Sequence, residues 1–310
     1  MNKNSIAIIG AGKVGSATAY SILKSNVFST IYLIDTNKKL VNGDILDFED
    51  AQASGNNNRT KVCAGTYDDL KKCSFVVITA GISQATRGSR LEQTSGAVAI
   101  FDSILKKIKD VKYNEFIIIC SNPVDVLTWY TYKKLNYDRK KIIGTGTSLD
   151  THRFKCILSR EFNVSQKEIH AFCLGEHGKS VVPIYSQAKI YSIPLQEYQF
   201  LHNRYLEYKD ITEEIKHRGY QILSLKGATF YGIAECVLKI ILNIYFDNNE
   251  VMPVSLINDE GTIANSGLGI LNCEGVRQYN EIKYSEHEYE LLEASNKTIL
   301  DTIKKYNLDK

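Results

Sequence analysis

The feature that most constrains the 310-residue chain is near its start. There an apolar run at residues 6–9 gives way to Gly10-Ala11-Gly12-Lys13-Val14-Gly15. Residues 14–24 then place apolar side chains at helical spacing, so the glycines form the turn between a strand and a helix. Gly10 permits the tight turn, Gly12 lets a ligand approach the backbone, and Gly15 lets the helix close on the strand. A helix that begins here leaves its first N–H groups free and partly positive, a ready seat for phosphate. A second β-branched run, residues 31–34, ends on Asp35, 20 residues beyond Gly15. An acid there accepts hydrogen bonds from both adenosine ribose hydroxyls and repels a 2′-phosphate. Gly-x-Gly-x-x-Gly alone is a weak signal; strand, turn, helix and acid together point to a dinucleotide site that favours NAD over NADP.

Further buried-strand candidates follow at residues 75–79 and 116–120. Apolar runs alternating with helices mean parallel strands covered on both faces. The first half, residues 1–145, is therefore expected to be an α/β, Rossmann-type doubly wound parallel sheet that binds NAD. After residue 145 the texture changes, and residues 146–310 are expected to form an α+β substrate-binding, catalytic domain. Helices are expected at residues 147–162, 196–216, 224–243 and 285–305, the last with a Ser-x-x-Glu start. No Pro- or Gly-rich linker separates the halves.

Composition narrows the partners. A net charge of +3 without basic blocks gives no support for nucleic acid or a membrane surface. No apolar run approaches the ~20 residues of a membrane span, and no signal peptide is recognisable before the first strand. The seven cysteines include no Cys-x-x-Cys pair, and several sit in apolar runs. Free thiols in a reducing compartment, and hence a cytoplasmic protein without a metal site, are expected.

Four later stretches carry unusual polar residues: 79–91 (Thr-Ala-Gly-Ile-Ser-Gln-Ala-Thr-Arg-Gly-Ser-Arg-Leu), 120–125 (Cys-Ser-Asn-Pro-Val-Asp), 148–154 (Ser-Leu-Asp-Thr-His-Arg-Phe) and 174–178 (Leu-Gly-Glu-His-Gly). In this order, from about Ser5 to the C-terminal helix, the chain resembles the L-lactate/malate dehydrogenases. The resemblance implies hydride transfer between a nicotinamide and C2 of a 2-hydroxy acid, with His177 moving the proton at the C2 oxygen. A histidine suits that role because its ordinary pKa is near neutrality. Asp150 matches the acid that orients the imidazole. Arg153, three residues on and so on the same helical face, matches the arginine that forks onto the substrate carboxylate. Arg90 matches the arginine that polarises the C2 carbonyl when a loop closes. Asn122 matches an amide touching substrate and nicotinamide, and Thr229 a residue of the substrate side-chain pocket. Val14, Tyr67, Gly81 and Thr145 match cofactor contacts.

The resemblance also locates specificity. Malate dehydrogenases place Arg three residues after the Thr-Ala-Gly glycine to pair a second carboxylate; here the residue is Gln84. A neutral amide leaves that carboxylate unpaired, which is costly in a closed site, so pyruvate and L-lactate are expected. A malate or broader-specificity L-2-hydroxy acid dehydrogenase remains the alternative, with Arg87 on the same loop as its support. His152, Asp50 and Ala97 depart from common family residues without removing a catalytic group. Lys155 and His170 stand where fructose 1,6-bisphosphate-activated bacterial members have basic residues, implying allosteric activation; an exposed Lys and an ordinary strand His are the other reading. A homotetramer is what the resemblance implies.

Overall fold

The computed structural model describes residues 3–54, 59–82 and 90–308. Its first half is built on strands whose side chains are buried on both faces. Phe75–Ile78 and Phe116–Ile119 are buried at every position, as are four of the five residues of Ser5–Ile9. Burial of each such Ile or Phe contributes about 1.5–3 kcal/mol, and only a sheet with helices on both sides offers that environment.

The chain order is β1 (Ser5–Ile9), α1 (Lys13–Ser25), β2 (Thr30–Ile34), α2 (Lys38–Ala53), β3 (Lys61–Ala64), β4 (Phe75–Ile78), α3 (Arg90–Asp110), β5 (Phe116–Ile119), α4 (Val124–Leu135) and β6 (Ile142–Gly144). The strands lie in the order β3-β2-β1-β4-β5-β6, all parallel. The winding direction reverses between β1 and β4, and a crevice at the C-terminal ends of those strands is where such sheets hold ligands.

The second half follows with α5 (Ser148–Phe162), β7 (Ile169–His170), β8 (Cys173–Gly175), β9 (Val181–Pro183), β10 (Lys189–Ile190), β11 (Ile193–Pro194), α6 (Leu195–Leu201), α7 (Tyr208–Lys226), α8 (Tyr231–Tyr245), β12 (Glu250–Ile257), β13 (Ala264–Asn272), β14 (Gly275–Gln278) and α9 (Glu286–Lys305). Most of its strands extend the first sheet. β12 adds antiparallel to β6, and the sheet continues through β13, β8 and β9. The seam is a row of small residues: Gly144 faces Ser255, Ser255 faces Ser266, and Ser266 faces Gly175. β7, β10 and β11 make a small sheet of their own. Among the described residues no helix is long and apolar enough to cross a membrane, and all seven cysteines are free.

Two expected helices are corrected. Residues 196–216 are not one helix: α6 stops at Leu201 and α7 starts at Tyr208. The break is held by Gln199, 4% exposed, whose amide oxygen accepts the Leu206 N–H at 2.8 Å and whose amide nitrogen donates to the Tyr208 hydroxyl at 2.9 Å. A side chain has replaced helical backbone hydrogen bonding. The helix expected to begin at residue 224 begins at Tyr231, because α7 runs on to Lys226. Gly227 ends it at φ +78, with its N–H on the Leu223 carbonyl at 2.8 Å.

Candidate active site

The glycine turn sits at the end of β1. Gly10 has φ +105, and a Cβ there would lie 2.6 Å from the Ala80 nitrogen. A Cβ on Gly15 would overlap the Gly10 carbonyl, so both glycines are required by close backbone approach. Gly12 differs: a Cβ would meet nothing within 4 Å. It faces the open side of the turn, leaving the backbone room for a ligand. Gly12 caps α1 without a side-chain hydrogen bond, and the first turn holds no acid. The free N–H groups and partial positive charge there are uncompensated by the protein.

Asp35 is fixed beside this turn. One carboxylate oxygen accepts the Ala11 N–H at 2.7 Å and the other the Asn37 N–H at 2.8 Å. Val14 is half-buried and Gly81 exposed in open space. Thr145 is buried, with its N–H on the Ile119 carbonyl at 2.9 Å. Asn122 is exposed beyond β5. These residues all follow the C-terminal ends of β1, β2, β4, β5 and β6. Tyr67 lies beyond β3, half-buried; burial pushes its hydroxyl up to about 12, and the Lys107 ammonium stands 4.9 Å from its ring centre. The open cradle at Gly12, the bare helix terminus and the anchored acid fit NAD.

The second group of residues is set by α5. Asp150 and Arg153 lie one turn apart on its buried face, 3% and 8% exposed. An Arg153 terminal nitrogen, Nη1, donates to one Asp150 oxygen at 2.9 Å. The other oxygen lies 2.6 Å from Nδ1 of His177, two residues beyond β8. A buried carboxylate paired on both oxygens stays ionised: burial raises its pKa, but the charges and hydrogen bonds of His177 and Arg153 hold it below the usual range. His177 answers in kind. Burial pulls its pKa down, yet the charge and hydrogen bond of Asp150, aided by Asp125, raise it above the ordinary value. With Nδ1 as the donor to Asp150, Nε2 is the nitrogen left for a substrate. The side chain retains 24% exposure, so the ring is reachable.

Three residues that sequence reasoning passed over complete the surroundings. Asp125, quoted only as the end of Ser-Asn-Pro-Val-Asp, accepts the His177 main-chain N–H at 2.8 Å. Ser266 donates to the other Asp125 oxygen at 3.2 Å and accepts the Thr147 N–H at 3.1 Å. Gly219 on α7 faces Arg153: a Cβ would stand 3.3 Å from guanidinium nitrogen Nη2. An ionisable residue inside the apolar run Val124-Asp125-Val126-Leu127 was the available signal for the first.

Other expected residues are placed as follows. Thr229 is half-buried in the α7–α8 connection, where Lys13 of the glycine turn reaches within 3.9 Å of a Cβ built on Gly227. The glycine turn and the α7–α8 connection are thus neighbours. His152 turns from Asp150 toward α8, with Nδ1 3.4 Å from the Cys236 sulfur. Lys155 is half-buried rather than exposed; burial and nearby Lys239 pull its pKa down. His170 is exposed on β7 opposite Lys189. Gln84 and Arg87 lie outside the described residues, as does the side chain of Arg90, whose backbone opens α3.

Known proteins share this arrangement throughout. Residues 4–144 match the model of the lactate/malate dehydrogenase NAD binding domain, and residues 147–308 match that of the lactate/malate dehydrogenase alpha/beta C-terminal domain. An L-lactate dehydrogenase of Latilactobacillus sakei is 33% identical over 97% of this chain and 94% of its own length. A lactate dehydrogenase from a Medee basin deep-sea metagenome library superposes with a TM-score of 0.93 at 27% identity, covering 99% of this chain and all of its own. The minor L-lactate dehydrogenase of Enterococcus mundtii in its ligands-bound form superposes with a TM-score of 0.91 at 29% identity, covering 98% and 99% of the two chains. With both halves matched, the chain belongs to the lactate/malate dehydrogenase family.

Proposed function

We propose that the chain is an NAD-dependent L-lactate dehydrogenase, interconverting pyruvate and L-lactate, with His177 as the group that moves the proton. The observation that carries this reading is the sharing of buried Asp150 between His177 Nδ1, at 2.6 Å, and Arg153, at 2.9 Å. It keeps the imidazole basic, fixes its tautomer and aims Nε2 outward. In pyruvate reduction, protonated His177 gives its Nε2 proton to the C2 oxygen, and the new imidazole stays hydrogen-bonded to Asp150. In lactate oxidation the neutral ring takes that proton back. NADH supplies the hydride that reaches C2, and the reverse reaction returns it.

Arg153 binds the substrate carboxylate and holds C2 against His177; Arg90 stabilises charge developing on the carbonyl oxygen. Asn122 and Thr229 line the substrate, Thr229 from a connection that neighbours the cofactor turn. The first turn of α1, with Gly10, Gly12, Val14 and Gly15, would hold the cofactor diphosphate, and Asp35 would hold the adenosine ribose. Tyr67, Gly81 and Thr145 complete that cleft. Preference for pyruvate over oxaloacetate rests on Gln84 and on curated relatives along the full chain that are L-lactate dehydrogenases. An NADH-oxidation assay with pyruvate, oxaloacetate and a bulkier 2-oxo acid tests it: kcat/KM is highest for pyruvate, and a higher value for oxaloacetate overturns the lactate assignment.

Regulation is a second proposal. Lys155 is half-buried beside Lys239, which pairs with Glu250, and a bound phosphate would add a second anion to these two lysines. Fructose 1,6-bisphosphate, held by Lys155 and His170 in a cytoplasmic homotetramer that ferments pyruvate, is the activator this reading names. It lowers the pyruvate half-saturation at neutral pH; an unchanged titration ends the idea. Size-exclusion chromatography with light scattering tests the tetramer.

A further inference from the structure

We infer that Asp125 is a second carboxylate acting on His177, a positioning residue that grips its main chain while Asp150 grips its ring. The inference rests on His177 as the proton-transfer residue. Asp125 lies in the first turn of α4 and is 2% exposed. Oδ2 accepts the His177 N–H at 2.8 Å, and Oδ1 accepts the Ser266 hydroxyl at 3.2 Å. It therefore links the Rossmann half, through α4, to the loop that carries His177 and to β13.

A purely structural partner for one N–H and one hydroxyl need not carry charge; an Asn would serve. Retaining a buried acid has an energetic cost, because burial disfavours the ionised form. Burial, reinforced by the charge of Glu176, pushes Asp125 up to about 6, against the pull of its polar neighbours Ser255 and His177. Among the described residues, the titratable groups facing it are His177 and Glu176, both in the β8–β9 connection, and β12 and β13 present Ser255 and Ser266. Above that value Asp125 is negative, and its charge helps raise the His177 pKa. The protonated ring that reduces pyruvate is thus favoured by two anions, one bonded to the ring and one to the main chain. Asp150 sets the ring's direction; Asp125 sets where the main chain stands and adds to the ring's proton affinity.

The test is the pH profile of kcat/KM for pyruvate at saturating NADH. The enzyme is compared with its Asp125→Asn, Asp150→Asn and His177→Gln variants, and NADH affinity is followed by fluorescence. Reduction needs protonated His177, so activity falls as pH rises through its pKa. In Asp125→Asn, which keeps the side chain's shape, this basic limb moves down by roughly 0.5–1 unit. Turnover at pH 6 stays within about twofold of the parent, whereas at pH 8.5 it falls by roughly three- to tenfold. NADH affinity is unchanged. Ser266→Ala, which weakens ionisation of Asp125 while leaving the acid, moves the limb the same way by less. An unmoved basic limb in Asp125→Asn, or in Ser266→Ala should the first variant not fold, overturns the inference. If instead His177→Gln keeps its turnover, the underlying assignment of His177 fails, and the two failures are told apart.

Discussion

At the residue scale the site is a contest between burial and charge. His177 and Asp150 are both driven toward neutrality by burial, and each is held ionisable by the other. The folded His177 has a raised pKa, so reduction is supported up to a higher pH than a free imidazole would allow. Asp150→Asn removes that support: the basic limb of pyruvate reduction shifts to lower pH, and turnover at pH 8 drops more than turnover at pH 6. His177→Ala lowers turnover about a hundredfold or more at every pH while NADH still binds, as fluorescence titration will report. Arg153 offers a subtler test. A Cβ at Gly219 would stand 3.3 Å from its Nη2, so the guanidinium must give by a few tenths of an ångström. Gly219→Ala is expected to raise KM for pyruvate several-fold with kcat largely kept, because a displaced carboxylate clamp weakens substrate binding before it affects proton transfer. Equal losses in kcat and kcat/KM would place the effect elsewhere.

At the element scale, what was legible in the sequence follows the range of the forces involved. The β1–α1 turn, Asp35 and the capped α9 are specified by neighbours in sequence, and all were readable. In α9 the Ser285 hydroxyl accepts the Glu288 N–H at 3.3 Å, and the Glu288 carboxylate accepts the Ser285 N–H at 2.9 Å. The α6–α7 break was not readable, because no Gly or Pro marks it. Its cause is Gln199 reaching Leu206 and Tyr208, which is a tertiary fact. Strands β12 and β13 pair with each other and with the distant β6 and β8, so their register depends on contacts that periodicity does not encode. Asp125 escaped for the same reason: its partners are 52 and 141 residues away. The turn itself is testable. A Cβ on Gly15 would overlap the Gly10 carbonyl, so Gly15→Ala pushes α1 off β1 and moves the N–H groups proposed to hold the diphosphate. NADH affinity is expected to fall at least tenfold, about 1.4 kcal/mol, measured by fluorescence titration. Unchanged affinity would mean that the first turn of α1 does not hold the diphosphate.

At the scale of the whole molecule, the two halves are joined by one sheet and share the site across its seam. Small residues make the join possible. A Cβ on Gly144 would overlap the Thr128 hydroxyl and come within 2.7 Å of the Ser255 Cβ. Strand β12, which Ser255 belongs to, would have to withdraw, and β13 is its partner along eight residue pairs. Ser266 on β13 holds Asp125, and Asp125 holds the His177 main chain. Strain introduced at Gly144 therefore has a route to His177 through two strands and one carboxylate. Gly144→Ala is expected to cost about 1–3 kcal/mol as overpacking, lowering Tm by several degrees for a chain of this size. Stability loss alone would leave kcat at 25 °C intact while the protein is folded. The seam predicts more: kcat for pyruvate falls several-fold at 25 °C, the basic limb moves in the direction of Asp125→Asn, and NADH affinity stays, because the glycine turn lies on the far side of β4 and β5 from the seam. A variant with lowered Tm but parental kcat and pH profile would show that the join carries the fold without tuning the chemistry.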